Sequence, residues 1–335
     1  MKNYNLNIPA NKIVKLPKTR SWPESIHLLD DRSINAIKAA LAAERPLLIR
    51  GEPGTGKSQL ARAAAQCLGR LFISEVVHAR SESQDLQWHF DAVRRLGDAQ
   101  VVSAGATQDN KSGNKPKTFK YSDEKNYLGP GPLWWAFDYA GAIEQFDRCE
   151  RNLRQPPELP TFDGEIWTPD KGSVLLIDEI DKADADLPNG LLETLGNGAF
   201  TVPYLDQAVG HQQGMPAPLV VITTNEERAL PAAFVRRCMV LHLCLPEGDA
   251  LIPHLVNVGN VHFESTCSEG VRTLAAQQLV ADRTEAKKLG LTAPGQAEYL
   301  DILRVLSNLA KTEQEQIDLL DEIKDFALKK HIAEA

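Results

Sequence analysis

The sequence predicts an α/β fold with a parallel sheet, followed by a smaller helical unit. Before Pro246 the chain alternates between short apolar runs and helical stretches, and after it no strand pattern remains. The apolar runs are continuous, which is typical of strands that are covered on both faces. Strands that alternate with long crossovers indicate a doubly wound sheet with helices on both sides.

Five apolar runs are the candidate strands of this sheet. They are residues 47–50, 71–78, 173–178, 219–224 and 239–245. The helices predicted among them are residues 33–43, 58–68, 133–151 and 187–195. In the last part of the chain, leucines recur at helical spacing, namely Leu300, Leu303, Leu306 and Leu309. This spacing predicts the helical unit.

Three stretches interrupt the α/β pattern. Residues 103–128 are rich in Gly, Ser, Asn and Lys, and within them residues 111–117 predict a mobile segment. Residues 152–172 contain several prolines and glycines and predict a loop. Residues 197–218 predict a small hairpin near Phe200, which Pro203 keeps away from the centre of the sheet. The first and the third stretch are candidates for contacts with a partner, although solvated loops are the simpler interpretation.

Composition limits the class of protein. A chain of 335 residues is long enough for two structural units. A net charge of −8 argues against a dedicated nucleic-acid binder. The five cysteines are widely spaced without a C-x-x-C pair, which favours reduced thiols in the cytoplasm over a disulfide framework or a zinc site. Apolar runs of about 20 residues, as a membrane span needs, are missing from the sequence.

We therefore expect three segments. Residues 1–24 are a basic N-terminal arm that includes Lys2, Lys12 and Arg20, and this arm is either a solvated tail or a contact for a partner. Residues 25–246 form the α/β subdomain, and residues 247–335 form the helical subdomain.

A phosphate-binding loop is the most informative motif. Residues 51–58 read Gly-Glu-Pro-Gly-Thr-Gly-Lys-Ser, which matches G-x-x-x-x-G-K-[ST] between a predicted strand and a predicted helix. The glycines allow backbone N–H groups to converge on phosphate oxygens, and the start of the helix adds partial positive charge. In such loops the lysine contacts the β- and γ-phosphates and the serine binds Mg²⁺. The predicted nucleotide-contacting residues are Gly51, Glu52, Pro53, Gly54, Thr55, Gly56, Lys57, Ser58 and Gln59.

An acidic pair, Asp178 and Glu179, ends the apolar run 174–177. In open parallel sheets, ligands bind at the carboxyl ends of the strands. We expect Asp178 and Ser58 to hold Mg²⁺, directly or through water. Glu179 is the candidate for polarising the attacking water.

Two further features follow in the chain. Asn225 ends another apolar run, and its amide can bind the nucleophilic water or a phosphate, although a turn residue is an equal interpretation. Arg236 and Arg237 precede the last strand. An arginine from a neighbouring subunit stabilises the charge that develops in phosphoryl transfer, whereas surface ion pairs are the simpler interpretation of such a pair.

Together these segments resemble a known family. Residues 51–58, 174–179, 223–225 and 230–238 are similar, in order and spacing, to the Walker A, Walker B, sensor 1 and arginine-finger regions of AAA+ ATPases. In further detail, the sequence resembles the MoxR branch of this family over about residues 25–250. The segments that carry this second resemblance are residues 129–133, 178–184, 191–195 and 200–203.

The resemblance implies a P-loop AAA+ core with a five-stranded parallel sheet and a C-terminal helical lid subdomain. It implies a homo-oligomeric ring, usually a hexamer, that hydrolyses ATP with Mg²⁺ between subunits and remodels or activates a protein partner. It also assigns the arginine finger to Arg237, with Arg236 close behind it.

This sequence departs from the family pattern at two points. Arg236 stands where the branch often has an acid, and residues 293–298 lack the arginine that a lid usually supplies, so Arg304 is a substitute candidate. Residues 181–184 superficially resemble a guanine-reading motif, but they directly follow the metal-binding strand, which favours ATP over GTP. Two alternatives stay open: a nucleic-acid motor or loader, McrB-like GTPases included, and a nucleotide-controlled assembly switch.

Overall fold

The computed structural model describes residues 13–108, 123–149, 154–205, 208–211 and 214–327. In chain order the strands are β1 (Ile13–Leu16), β2 (Ser25–Leu28), β3 (Leu47–Arg50), β4 (Leu71–Val76), β5 (Trp88–Phe90), β6 (Leu128–Pro130), β7 (Thr161–Phe162), β8 (Glu165–Ile166), β9 (Ser173–Asp178), β10 (Ala199–Phe200), β11 (Val209–Gly210), β12 (Leu219–Thr224) and β13 (Met239–His242). The α-helices are α1 (Asp31–Ala43), α2 (Lys57–Leu68), α3 (Ser83–Gln87), α4 (Ala92–Gln108), α5 (Pro132–Phe137), α6 (Tyr139–Arg148), α7 (Asp186–Asn197), α8 (Ala232–Arg237), α9 (Leu251–Phe263), α10 (Glu269–Lys288), α11 (Gln296–Leu309) and α12 (Glu313–Ala327).

Five parallel strands form the central sheet, in the order β13-β3-β12-β9-β4. Strand β12 lies between β3 and β9, with Thr224 opposite Arg50 and Ile222 opposite Ile177. The carboxyl ends of these three strands therefore meet at one edge, where ligands bind in open α/β sheets. The five predicted strands are confirmed, although β4 and β13 each end before the predicted boundary.

The strands are apolar throughout because they separate two hydrophobic cores. Successive side chains of a strand point to opposite faces, so that Leu48 and Leu175 belong to one core and Leu47 and Val174 to the other. Helices α5 and α7 cover the first core, and α1 and α2 cover the second. Burial on both faces explains why the sequence shows continuous runs in place of alternation.

The N-terminal hairpin differs from the solvated tail that the basic composition suggests. Residues 1–12 lie outside the described residues, but β1 pairs antiparallel with β2. Val14 and Leu16 are buried in the core beneath α1 and α2, whereas Lys15 between them is exposed. This part of the predicted arm belongs to the core, since alternating apolar side chains outweigh its positive charge.

The predicted helix at residues 133–151 forms two helices, α5 and α6, within its described part. They meet at Asp138, whose Oδ1 accepts a hydrogen bond of 3.0 Å from the N–H of Gly141. This side chain satisfies a backbone donor at the start of α6 and so favours a new helix at this point.

The interrupting stretches contain more secondary structure than the sequence predicts. Helix α4 extends into residues 103–128, β6 pairs antiparallel with β5 at the end of that stretch, and residues 109–122 lie outside the described residues. The loop at residues 152–172 includes the small hairpin β7-β8. A hairpin near Phe200 is confirmed, since β10 and β11 pair with Phe200 opposite Val209.

Helices α9 to α12 form the helical lid, with a third hydrophobic core of its own. Its centre is Tyr299 of α11, which is fully buried and donates a hydrogen bond of 3.1 Å to the carbonyl oxygen of Arg272. A Cβ atom on Gly259 of α9 would lie 2.5 Å from the Tyr299 hydroxyl, so only glycine permits this close crossing. None of the helices in the described ranges has the length and apolar character that crossing a bilayer requires.

Candidate nucleotide-binding site

The loop between β3 and α2 has the backbone conformation that a phosphate-binding loop requires. Gly54 and Gly56 have φ angles of +74° and +89°, in the region that favours glycine. A Cβ atom on Gly51 would lie 2.2 Å from the carbonyl oxygen of Leu243, just beyond β13. The glycines of the motif therefore serve both to turn the loop and to place it against the sheet.

The side chain of Lys57 is buried at the centre of the site and fully hydrogen-bonded. Its Nζ donates to the carbonyl oxygens of Gly51 at 2.8 Å and Glu52 at 2.9 Å, and to Oδ1 of Asn225 at 2.7 Å. Burial lowers the pKa of Lys57, and the carboxylate of Asp178 opposes this effect. The loop thus holds its own lysine in a fixed position at the strand edge.

Ser58 and Asp178 lie together beside this lysine. The Ser58 hydroxyl is 2.9 Å from each carboxylate oxygen of Asp178 and donates to it. The hydroxyl of Thr223 donates to Asp178 Oδ1 at 2.5 Å. Both donors orient the carboxylate, and Thr223 is a site residue to which the sequence analysis assigns no role.

Glu179 has a left-handed backbone conformation, with φ of +57°, directly after β9. This conformation costs energy for a residue other than glycine. It is held by a hydrogen bond of 2.9 Å from the Glu179 N–H to Oγ1 of Thr223. Such strain is common at functional sites, where the surrounding structure enforces it.

Asn225 connects the lysine and the glutamate. While its Oδ1 accepts from Lys57, its Nδ2 donates to Oε1 of Glu179 at 3.2 Å. The structure therefore brings Lys57, Ser58, Asp178, Glu179 and Asn225 into one connected group, as the sequence analysis predicts.

Asp181 binds the backbone of Asn225 and so helps to hold it in place, a role that sequence reasoning missed. Its carboxylate is 1 % exposed and accepts hydrogen bonds from the N–H groups of Asn225 at 3.2 Å and Glu227 at 2.9 Å. An acid three positions after Asp178 was visible in the sequence. Its pairing with a backbone segment more than forty residues later in the chain, however, depends on the order of the strands.

A cavity of about 630 Å³ opens over these residues. One wall is the phosphate loop with Asp178, Glu179 and Asn225, and the other walls come from the N-terminal hairpin and the helical lid. The residues that the hairpin and the lid contribute include His27, Leu28, His254, His262, Gln296, Leu300 and Arg304. Burial lowers the pKa of His27 to about 4; the charge of Asp30 opposes this shift, and that of His262 adds to it.

The donor set of the cavity fits a magnesium nucleotide. Mg²⁺ prefers oxygen ligands and is usually held by one or two side chains together with phosphates and water, and Ser58 and Asp178 provide such oxygens. Within the described part of the chain, no group of three or more His, Cys, Asp or Glu side chains could hold a metal by itself. Gln59 also lines the cavity, where its Oε1 accepts from Arg62 at 2.9 Å.

The two predicted finger arginines lie elsewhere on the protomer. Arg236 and Arg237 are exposed at the end of α8, and the described residues that line the nucleotide cavity do not include them. The Arg236 carbonyl accepts a hydrogen bond of 2.5 Å from Arg45, and Arg237 lines a separate cavity of about 290 Å³. Neither arginine contributes to the site of its own protomer.

Arg304, the substitute candidate for a lid arginine, does line the cavity. Its side chain is 61 % exposed and donates to Asp301 of the same helix at 2.5 Å. The guanidinium group therefore lies at the rim of the site, on the lid side.

Comparisons with known proteins agree with this geometry. Residues 46–238, more than half of the chain, match the family described as AAA domain (dynein-related subfamily). No curated protein matches the chain.

Two solved structures resemble the fold at low identity. One, from Cytophaga hutchinsonii, is described as a candidate ATPase; it is 15% identical over 88% of this chain and 79% of its own, with a TM-score of 0.37. The other is the RuvB Holliday junction branch migration motor of Thermotoga maritima, which is 11% identical over 87% of this chain and 67% of its own, with a TM-score of 0.43. At these TM-scores neither adds to the family match. From that match, which contains the phosphate loop, the acidic strand end and Asn225, we conclude that the chain belongs to the AAA domain family, dynein-related subfamily, of AAA+ ATPases.

Proposed function

We propose that this chain is a ring-forming ATPase of the MoxR type, which couples ATP hydrolysis to the remodelling or activation of a protein partner. The observation that carries the ATPase part is the position of Asn225, in contact with both Lys57 and Glu179. The MoxR part is supported by the sequence segments at residues 129–133 and 178–184. The proposal divides the chain into an ATPase subdomain, residues 25–246 with β1 attached, and a lid subdomain, residues 247–335, and sets it in the cytoplasm.

Each residue of the connected group has a role in this proposal. Lys57 binds the β- and γ-phosphates, and Ser58 and Asp178 hold Mg²⁺, which neutralises charge on the phosphates. Glu179 polarises the attacking water, and Asn225 positions it. The hydrogen bond between Asn225 and Glu179 supports this assignment because it places both side chains at the same part of the cavity.

The ring is proposed because the finger arginines lie outside their own site. Arg237, with Arg236 beside it, is exposed at the end of α8, where it is available to the nucleotide of a neighbouring protomer. An arginine supplied by a neighbour stabilises the charge of the transferred phosphoryl group by a factor of about 10³–10⁵ in rate.

The first experiment tests hydrolysis. In Glu179→Gln we expect nucleotide binding to remain and ATP turnover to fall by a factor of about 10²–10⁴, the usual contribution of general-base catalysis. Turnover of the unaltered protein should also stop when EDTA removes Mg²⁺. Normal hydrolysis by Glu179→Gln would contradict the role of this residue, and failure of the unaltered protein to bind ATP would remove the proposal.

The second experiment tests the shared site. Arg237→Ala and Lys57→Ala should each be inactive as pure rings, because one lacks the finger and the other lacks nucleotide. Mixed rings should regain activity, since an Arg237→Ala site can receive the intact arginine of a Lys57→Ala neighbour. Arg236→Ala in the same mixture shows which of the two arginines acts. Absence of complementation, or a mass in ATP that remains that of one protomer, would contradict a site between subunits.

The third experiment tests the partner. Glu179→Gln in ATP should retain a protein partner that the same variant in ADP releases. Turnover that DNA stimulates in a salt-dependent manner would instead support the nucleic-acid motor. A change of mass with ATP but no retained protein would support the assembly switch.

A further inference from the structure

An ion pair joins the phosphate loop to the helical lid. Arg283 lies near the end of α10, and its Nη2 donates to Oε2 of Glu52 in the loop. Its Nη1 donates to the carbonyl oxygen of Pro294 at 2.9 Å. One guanidinium group therefore links the loop with the residue that precedes the N-cap of α11.

The start of α11 also packs directly against the loop. A Cβ atom on Gly54 would lie 2.9 Å from Cβ of Ala297 in the first turn of α11. A Cβ atom on Gly295 would lie 3.5 Å from the carbonyl oxygen of Pro53. The loop and the first turn of α11 are thus in van der Waals contact, at the place that Arg283 links by hydrogen bonds.

Helix α11 supplies part of the lid side of the nucleotide cavity, beside His254 and His262 of α9. Gln296, Leu300 and Arg304 all line the cavity, and all lie on α11. A shift of α11 relative to the phosphate loop would therefore change the shape of the cavity without a change in the contacts among Lys57, Glu179 and Asn225. Whatever fixes the start of α11 against the loop also fixes this wall of the cavity.

Exposure distinguishes this ion pair from an ordinary surface pair. The Arg283 side chain is 8 % exposed and Glu52 is 49 % exposed. By contrast, the pair between Lys287 and Glu247, which also starts on α10, spans 3.8 Å, and its side chains are 47 % and 89 % exposed. Loss of one partner matters far more when the other charge is left buried, so the Arg283 pair has the larger effect on how the lid is held.

We propose that Glu52 and Arg283 are positioning residues for nucleotide binding, which hold the start of α11 against the phosphate loop and thereby set the lid wall of the cavity. The inference rests on the proposed nucleotide site and deepens it. It assigns to the side chain of Glu52 a role distinct from that of the loop backbone, whose N–H groups are the expected phosphate donors.

The test compares the KM and kcat of Glu52→Gln and Arg283→Gln. We expect the KM for ATP to rise about tenfold in each, and the Kd for ADP to rise with it, because the lid wall is shared by both nucleotides. The change in kcat should be smaller than the change in KM, since the pair does not contact Glu179. A variant that is merely misfolded in part would instead lower kcat at an unchanged KM, because fewer molecules are active.

Two further variants complete the test. The double variant Glu52→Arg/Arg283→Glu restores an ion pair of reversed polarity, and its KM should return towards that of the unaltered protein. Lys287→Gln, one turn further along α10, is the matched control and should leave KM unchanged.

The proposal is overturned if Glu52→Gln and Arg283→Gln keep the KM of the unaltered protein, or if Lys287→Gln raises it equally. It is also overturned if the reversed pair is no better than the single variants. Failure of the unaltered protein to bind ATP is a different outcome, because it removes the proposed function of the site itself.

Discussion

The two sides of the nucleotide cavity are built in different ways. On the sheet side, Asp178 and Asn225 lie at or just after strand ends, and Lys57 begins the helix that follows the adjacent strand β3. These side chains bond to one another or to close neighbours over 2.5–2.9 Å. On the lid side, Arg304 is 61 % exposed and bonds to Asp301 within its own helix. The sheet side is preorganised by its own hydrogen bonds, and the lid side depends on where α11 lies.

This difference assigns catalysis to the sheet side and affinity for the nucleotide to the lid side in the proposed function. Parallel strands fix the relative positions of the residues at their ends, which is what charge stabilisation and water activation require. In the proposed function, the lid wall would contribute area and charge around the rest of the nucleotide and so affect how tightly it binds. We therefore expect substitutions on the sheet side to abolish binding or turnover and substitutions on the lid side to change KM.

The largest effect is expected for Lys57→Ala. This change removes a buried ammonium group that accounts for hydrogen bonds to Gly51, Glu52 and Asn225. Affinity for ATP should fall by at least about a hundredfold, since charge-assisted contacts to phosphate are the strong ones. Isothermal titration calorimetry measures this, with Lys287→Ala as a control. Binding within a few-fold of the unaltered protein would contradict the preorganised sheet side.

A smaller effect is expected for Asp181→Asn. The carboxylate accepts from the N–H groups of Asn225 and Glu227, and hydrogen bonds to a charged group contribute about 1.5–3 kcal/mol. We expect kcat to fall about tenfold, with a smaller change in KM, because Asn225 loses its support. Steady-state kinetics measure this split. Asp184→Asn is the control, since its carboxylate is 83 % exposed and pairs only at the surface. An equal effect of both variants would show that Asp181 has no particular role.

On the lid side, Arg304→Gln should raise the KM for ATP about threefold and leave kcat nearly unchanged. The side chain is exposed, so water and salt weaken its attraction for a phosphate. The difference between variant and unaltered protein should therefore shrink as the salt concentration rises. A loss of kcat that exceeds the rise in KM would place Arg304 with the catalytic residues. It would contradict the division of roles between the sheet side and the lid side.

A separate prediction concerns His27 and the pH dependence of stability, apart from nucleotide binding and turnover. Burial lowers the pKa of its imidazole from 6.5 to about 4 in the folded protein. The unfolded chain therefore binds one more proton between these values, and the free energy of unfolding falls by up to about 1.4 kcal/mol per pH unit as pH decreases through this window. In His27→Gln this contribution to the slope should disappear. Urea unfolding at several pH values measures it, and an unchanged slope would show that His27 titrates normally.

Sequence reasoning predicts the sheet side well for a physical reason. Residues 47–50, 173–178 and 219–224 are apolar throughout because both faces of the sheet are covered, and the polar residues at their ends stand out against them. A phosphate loop also needs glycines and a lysine at fixed local spacing. The positions of Lys57 and Asp178 therefore follow from local patterns together with the strand order of an open α/β fold.

The contacts that sequence reasoning missed join segments that are distant in the chain. Asp181 contacts a segment more than forty residues away, and Arg283 contacts Glu52 across 231 residues. Local spacing carries no information about such pairs, because they depend on how the lid and the strands pack. The hairpin β1-β2 was missed for a different reason. The positive charge of this segment was more conspicuous than the alternation of buried Val14 and Leu16 with exposed neighbours.

The shared hydrogen bond between Lys57 and Asn225 makes the amide oxygen and a phosphate oxygen competitors for one ammonium group. In the proposed function, a γ-phosphate that takes this ammonium group would leave Asn225 in contact with Glu179 and would free its Oδ1 as an acceptor. A diphosphate lacks that third group and would compete less well for the lysine. Readiness for hydrolysis would then be coupled to the length of the phosphate chain.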